Sequence, residues 1–187
     1  MSMNFDTDTI GAAPAGWTGG ATGKGTPRWT VEAESPAPDA RKVLRQSGAA
    51  DFPWCVRCDA STSDGFVEVR FKPLSGRRDQ AGGVVWRWKD GDNYYVARAN
   101  AMENNVSLYY TVGGSRKTLR YVDAPVTANQ WHTIQVAFKG STIKVALDGH
   151  EYIALEDEHI QGAGAVGVWT KADSVTDFDG FASGNER

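Results

Sequence analysis

The chain has 187 residues, 41% of them hydrophobic, 21 glycines and a formal net charge of −3. That balance offers no basic field for a polyphosphate backbone, which excludes nucleic acid as a partner. No apolar run approaches the ~20 residues a membrane-spanning helix needs, so membrane insertion is excluded too.

In chain order, Met1 to Phe5 lacks the charged-then-apolar pattern of a signal peptide. Gly16, Gly19, Gly20, Gly23 and Gly25, then Pro36 and Pro38, bracket a short strand around residues 29–33, with long loops expected on either side. Residues 65–71 alternate apolar and polar, the period of a half-buried strand, and Pro73 is expected to end it. Residues 83–88 and 93–98 form a hairpin around Asp90-Gly91. Further β runs fall at 106–111, 117–122, 131–138, 142–147, 165–170 and 175–181, with Gly113-Gly114, Lys139-Gly140 and Asp148-Gly149 among the turns. Short strands at this spacing predict an all-β, two-sheet antiparallel jelly-roll sandwich. It forms a single domain over 1–187, with 183–187 expected to fray.

Three segments carry a family resemblance: Ala81-Gly82-Gly83-Val84-Val85-Trp86-Arg87, Asn93-Tyr94-Tyr95-Val96 and Gly164-Ala165-Val166-Gly167-Val168-Trp169-Thr170-Lys171. They resemble concanavalin A-like lectin/glucanase domains. Residues 129–136 and 145–149 look like the laminin G-like and 3-keto-disaccharide hydrolase-type branches. The resemblance implies carbohydrate as the partner, bound or cleaved on a concave sheet, and a secreted or periplasmic location. Its motifs describe pleats and turns, so they specify fold more than activity.

Glycoside cleavage needs two carboxylates about 5–10 Å apart. Glu156-Asp157-Glu158 is consecutive and points to opposite faces, so the alternating glucanase signature is missing. Glu103, beside Asn104 and Asn105, is a candidate catalytic acid, with another loop acid as the alternative. Aromatic rings give a better glycan signal, because they stack on sugar faces. Trp86, Trp88 and Trp131 fit a core, whereas Trp54 and Trp169, the latter next to Thr170-Lys171, are expected at a sheet edge or loop.

Arg87 alternates with Trp86 and Trp88, so its guanidinium is expected on the opposite, ligand-binding face. Taking 89–93 as the turn sets Arg87 opposite Tyr95 and groups them with Val85 and Ala97; a one-residue slip substitutes Arg98. The hydrolase-type resemblance favours the first register, with Tyr95 standing where that family has an acid. Candidate ligand-binding residues are therefore Arg87, Tyr95, Arg98, Trp54, Trp169 and Lys171.

Cys55 and Cys58, in an extended segment, are too far apart for a bridge and are expected as free thiols. His132, His150 and His159 have no zinc spacing. No cofactor is implied, but Asp6, Asp8, Asp177 and Asp179 could meet where terminal strands pair and hold a structural calcium. The expected function is a noncatalytic, lectin-like carbohydrate-binding domain. The alternatives are a glycoside-cleaving enzyme of the 3-keto-disaccharide hydrolase type and a laminin G-like protein-interaction domain.

Overall fold

The computed structural model describes residues 1–34 and 41–185, so Pro36, Pro38, Glu186 and Arg187 lie outside it. In chain order the strands are β1 (Ser2–Met3), β2 (Thr18–Thr26), β3 (Trp29–Ala33), β4 (Lys42–Gln46) and β5 (Ala49–Thr62). There follow β6 (Gly65–Ser75), β7 (Ala81–Asp90), β8 (Asn93–Asn100), β9 (Asn105–Val112) and β10 (Ser115–Asp123). The last five are β11 (His132–Lys139), β12 (Thr142–Leu147), β13 (His150–Glu156), β14 (Gly164–Trp169) and β15 (Val175–Gly184). No helix occurs among the described residues.

The strands form two antiparallel sheets stacked as a sandwich. One runs β13-β12-β11-β6-β15-β4-β3 with β1 on β15; the other runs β10-β9-β8-β7-β14-β5-β2. Alternation makes the core: Ile134, Val136 and Phe138 of β11 point inward with Val69 and Val67 of β6, at paired register. From the seven-stranded sheet Trp86, Tyr95, Ala97, Leu108 and Val168 meet them.

Four expectations are corrected. Residues 18–26 form a strand despite Gly19, Gly20, Gly23 and Gly25, because β2 runs along the sheet edge beside β5 and bulges between Thr22 and Gly25. Residues 49–62, of which only the stretch around Cys55 and Cys58 is read as extended from the sequence, are the longest strand; Pro53 lacks a donor there, but its carbonyl accepts the Thr170 amide. Strand β6 continues through Pro73, which pairs with Thr176, to Ser75. Of the end expected to fray, Ser183 and Gly184 belong to β15 and the Ser183 amide bonds to the Met1 carbonyl, while residues 186 and 187 lie outside the described residues. Cys55 is buried and Cys58 exposed, and both are free.

Candidate functional site

The outer face of the seven-stranded sheet is strongly concave. Arg116 of β10 and Phe52 of β5 stand five strands apart, ~24 Å on a flat sheet. Yet the Arg116 guanidinium lies 4.8 Å from the Phe52 ring centre. Thr22 of β2 likewise reaches Tyr94 of β8, with its hydroxyl 2.7 Å from the phenol oxygen. Only a sheet curled toward this face brings both edges over its middle. The curl also buries Val85, Val96, Tyr94, Tyr109 and Trp169, which no further layer covers.

Across this face the strand registers produce one row: Tyr121 opposite Ser107, Ser107 opposite Arg98, Arg98 opposite Gly83, Gly83 opposite Trp169 and Trp169 opposite Trp54. A Cβ at Gly83 would come within 3.0 Å of the Arg98 Cβ, so glycine lets the arginine lie flat in the row. Trp169 is fully buried beneath Phe52, stacked at 6.0 Å, and Arg116, rather than standing at an edge. Trp54, half-buried, packs edge-on against Trp88.

One end of the row is polar. Arg98, only 2% exposed, donates from Nε and Nη2 to the Tyr109 hydroxyl at 3.2 and 2.9 Å. Its Nη2 also donates to Glu103 Oε2 at 3.1 Å. The same carboxylate oxygen accepts from Asn105 Nδ2 at 2.9 Å and from the Tyr121 hydroxyl at 3.3 Å. Burial pushes the Glu103 carboxyl up, but the Asn105 amide and the Arg98 charge outweigh it and hold the group below its usual range. Beyond Trp169, Lys171 pairs with Asp79 at 3.3 Å, and Asp79 accepts from Asn100 at 2.8 Å. The loop before β7 is pinned by Asp173, whose carboxylate accepts the amides of Arg77, Arg78 and Asp79 at 2.8 to 3.3 Å.

The residues 77–166 match the family model described as Laminin G domain. Among solved structures, carbohydrate binding module CBM66 from Bacillus subtilis is similar at a TM-score of 0.72 with 22% identity, over 90% of this chain and 94% of that one. A Bacillus licheniformis β-glucanase is similar at 0.58 with 15% identity, over 100% and 98%. Galectin LEC-6 of Caenorhabditis elegans is similar at 0.52 with 15% identity, over 66% and 84%. No protein of curated function matches the sequence.

The chain shares with these structures the fold of a two-sheet antiparallel jelly-roll sandwich. Within this sandwich, Arg98, Trp54, Trp169, Lys171 and Glu103 gather on the concave face, and two of the expected ligand contacts do not. Trp86, not Arg87, lies opposite Tyr95, so the one-residue slip is the actual register. Tyr95 faces the core, donating its hydroxyl to Asp157 at 2.5 Å. Arg87 has φ +46° in a bulge between Trp86 and Asp90, which turns it off the concave face. Its guanidinium, 2% exposed, donates to the carbonyls of Ser63, Ile160 and Gly140 at 3.0, 3.0 and 2.8 Å, tying three loops together.

Of the aspartates proposed for calcium, Asp177 and Asp179 lie on β15 of the other sheet, and Asp6 and Asp8 in the segment between β1 and β2. Arg45 takes Asp177 bidentately at 2.6 and 2.9 Å, and Arg41 and Arg70 face Asp179 at 3.3 and 3.8 Å. Asp6 lines the same cavity of about 550 Å³ as Asp179, while Asp8 uses one carboxylate oxygen on the Ala15 amide. Among the described residues no three His, Cys, Asp or Glu side chains converge on a metal position. Arg45 of β4, Arg70 of β6 and Arg41 just before β4 supply the positive charge there.

Sequence reasoning missed Tyr109, Tyr121, Asn105, Asp79 and Arg116. Three of them become visible once Arg98 is placed on the face, since Arg98 pairs with Ser107, Ser107 pairs with Tyr121, and strand alternation from Ser107 selects Asn105 and Tyr109.

Proposed function

We propose that this domain binds carbohydrate on the concave face, at the polar end of the row running from Trp54 through Trp169 to Arg98, and does not cleave it. The observation that carries the reading is the Arg98, Glu103 and Tyr109 set: a buried guanidinium orients an ionised carboxylate and a phenol toward a rim where Tyr121 is half exposed. A charged, pre-oriented acceptor beside donors suits sugar hydroxyls, and the Tyr121 ring offers the apolar surface that a sugar face stacks on. The names of similar folds, a carbohydrate binding module and a galectin, support the same class of ligand.

Glycoside cleavage asks for one carboxyl kept protonated near neutrality and a second carboxylate to match. Glu103 is held in the opposite, ionised direction, and Asp79 is committed to Lys171 and Asn100. Arg87 and Tyr95 hold loops rather than ligand in this reading.

The test is a glycan screen of the purified domain beside a product-release assay on the same glycans, with Tyr121→Ala as the reporter. Binding without release, weakened several-fold or more in Tyr121→Ala, is expected. Release of sugar, or a glycan bound equally well by Tyr121→Ala, Arg98→Gln and the unaltered domain, overturns the proposal.

A further inference from the structure

We infer that the sugar taken here carries a carboxylate, a uronate, and that Arg116 receives it beside Arg98; this rests on the carbohydrate reading above. The Arg116 guanidinium lies 4.1 Å from the Tyr109 ring centre, 4.8 Å from Phe52 and 6.0 Å from Trp169. Ring contacts of this kind engage the guanidinium through its π face and leave its in-plane N–H fork for an acceptor. Among the described residues no carboxylate lies within ion-pair distance of it, and its Nη1 is buried without a hydrogen-bond partner. Arg98 Nη1 is buried and unpartnered as well, on a side chain only 2% exposed.

Two buried donors from two arginines are thus left open on one face, at a cost the fold ordinarily avoids. Charge points the same way. Arg98, Arg116 and Lys171 stand against Glu103 and Asp79, three cations to two carboxylates, and the adjoining loop adds exposed Arg77 and Arg78 against Asp173. The whole chain, by contrast, has net charge −3. Burial lowers the Arg116 pKa; the Tyr109 neighbour raises it and the Arg98 charge lowers it again, a repulsion that an anion between the two arginines would relieve. A carboxylate brings a negative charge and two coplanar oxygens, one for each of the two open arginine nitrogens. Both nitrogens are covered in the free protein, so the ligand enters by turning the Arg116 side chain, which among the described residues is held by its ring contacts.

The test is calorimetric titration with a panel of uronate oligosaccharides (galacturonate, glucuronate, mannuronate), their neutral counterparts of the same linkage, and sulfated oligosaccharides. Arg116→Gln is the variant, and Lys117→Gln, exposed on the other side of β10, is the charge-loss control. A uronate should bind at least about tenfold more tightly than its neutral counterpart, and Arg116→Gln should abolish that preference while Lys117→Gln keeps it. Should Arg116→Gln melt below the assay temperature, Arg116→Lys decides: uronate affinity must fall as the fork is lost, with a residual preference over the neutral sugar. A neutral sugar bound as tightly, with Arg116 indifferent, overturns the uronate inference and leaves carbohydrate binding standing. Binding of the sulfated oligosaccharides alone also overturns it. Silence of the folded domain across the whole panel overturns the carbohydrate reading itself.

Discussion

Trp86 lies directly opposite Tyr95, and their rings stack with centres 5.4 Å apart. That pair decides what each neighbour can do. It puts both rings in the core, sends Arg98 to the concave face, and leaves Arg87 to a bulge where its side chain serves the loops.

Arg87→Ala should therefore act on stability. It removes a buried cation that three loop carbonyls share and leaves those carbonyls short of a donor. We expect a loss of about 3 kcal/mol, a fall in melting temperature of roughly 6–12 °C. Glycan affinity of the folded fraction should be unchanged. Thermal unfolding and titration below the transition check both, and a weakened affinity at unchanged melting temperature would place Arg87 in the ligand site after all.

Much of this was legible in the sequence. The alternation in residues 65–71 and 134–138 and the turns at Asp90-Gly91, Gly113-Gly114, Lys139-Gly140 and Asp148-Gly149 mark strands that the structure contains. A period of two says which residues share a face, but a bulge resets the phase, and nothing local announces that Arg87 adopts positive φ. Its partner is remote: a Cβ on Gly164, 77 positions along the chain, would meet the Arg87 backbone at 2.5 Å. Arg116 was invisible for a related reason. Its place over Trp169 and Phe52 depends on how far the sheet curls, a property of seven strands together.

The two thiols should differ sharply. Cys55 is buried in the core, and burial pushes its pKa up, so little thiolate forms near neutral pH. Cys58 is exposed three residues on. A thiol-specific chromogenic reagent should react rapidly with one equivalent in the native protein and with two in denaturant. Rapid release of two equivalents under native conditions would contradict the packing of β5 against the core.

Asp173 should govern the loop that carries Arg77 and Arg78. Burial raises its carboxyl pKa, and the three amides it accepts outweigh that and hold it below the ordinary range. Because the folded pKa is the lower one, this anchoring is complete above the unfolded carboxylate value and fades as pH falls through the folded value. Asp173→Ala should speed hydrogen exchange at the amides of residues 77–79 while the core strands keep their protection. Unchanged exchange at those amides would show that the loop is held by something else.

Glu103 offers the sharpest separation of stability from recognition. It is the only carboxylate within ion-pair distance of Arg98 among the described residues, so Glu103→Gln leaves a buried guanidinium with a phenol and an amide in place of an anion. Breaking a fully buried pair costs several kcal/mol, but the Glu103 side chain is 37% exposed and solvent screens part of the loss. We expect about 1 kcal/mol at neutral pH. The folded pKa of Glu103 is lowered, so its contribution is fully present above the unfolded value of about 4.3 and is lost as pH falls through the folded one. The stability gap between the unaltered protein and Glu103→Gln should accordingly close on acidification, measured by denaturant titration from pH 7 down to pH 3. A uronate should stabilise Glu103→Gln at least as much as the unaltered domain, since its carboxylate supplies the anion Arg98 has lost, whereas a neutral sugar that depends on Glu103 as acceptor should stabilise it less. A gap that stays constant with pH would mean that Glu103 contributes packing and no charge, and Arg98 would then need another explanation for its place on the concave face.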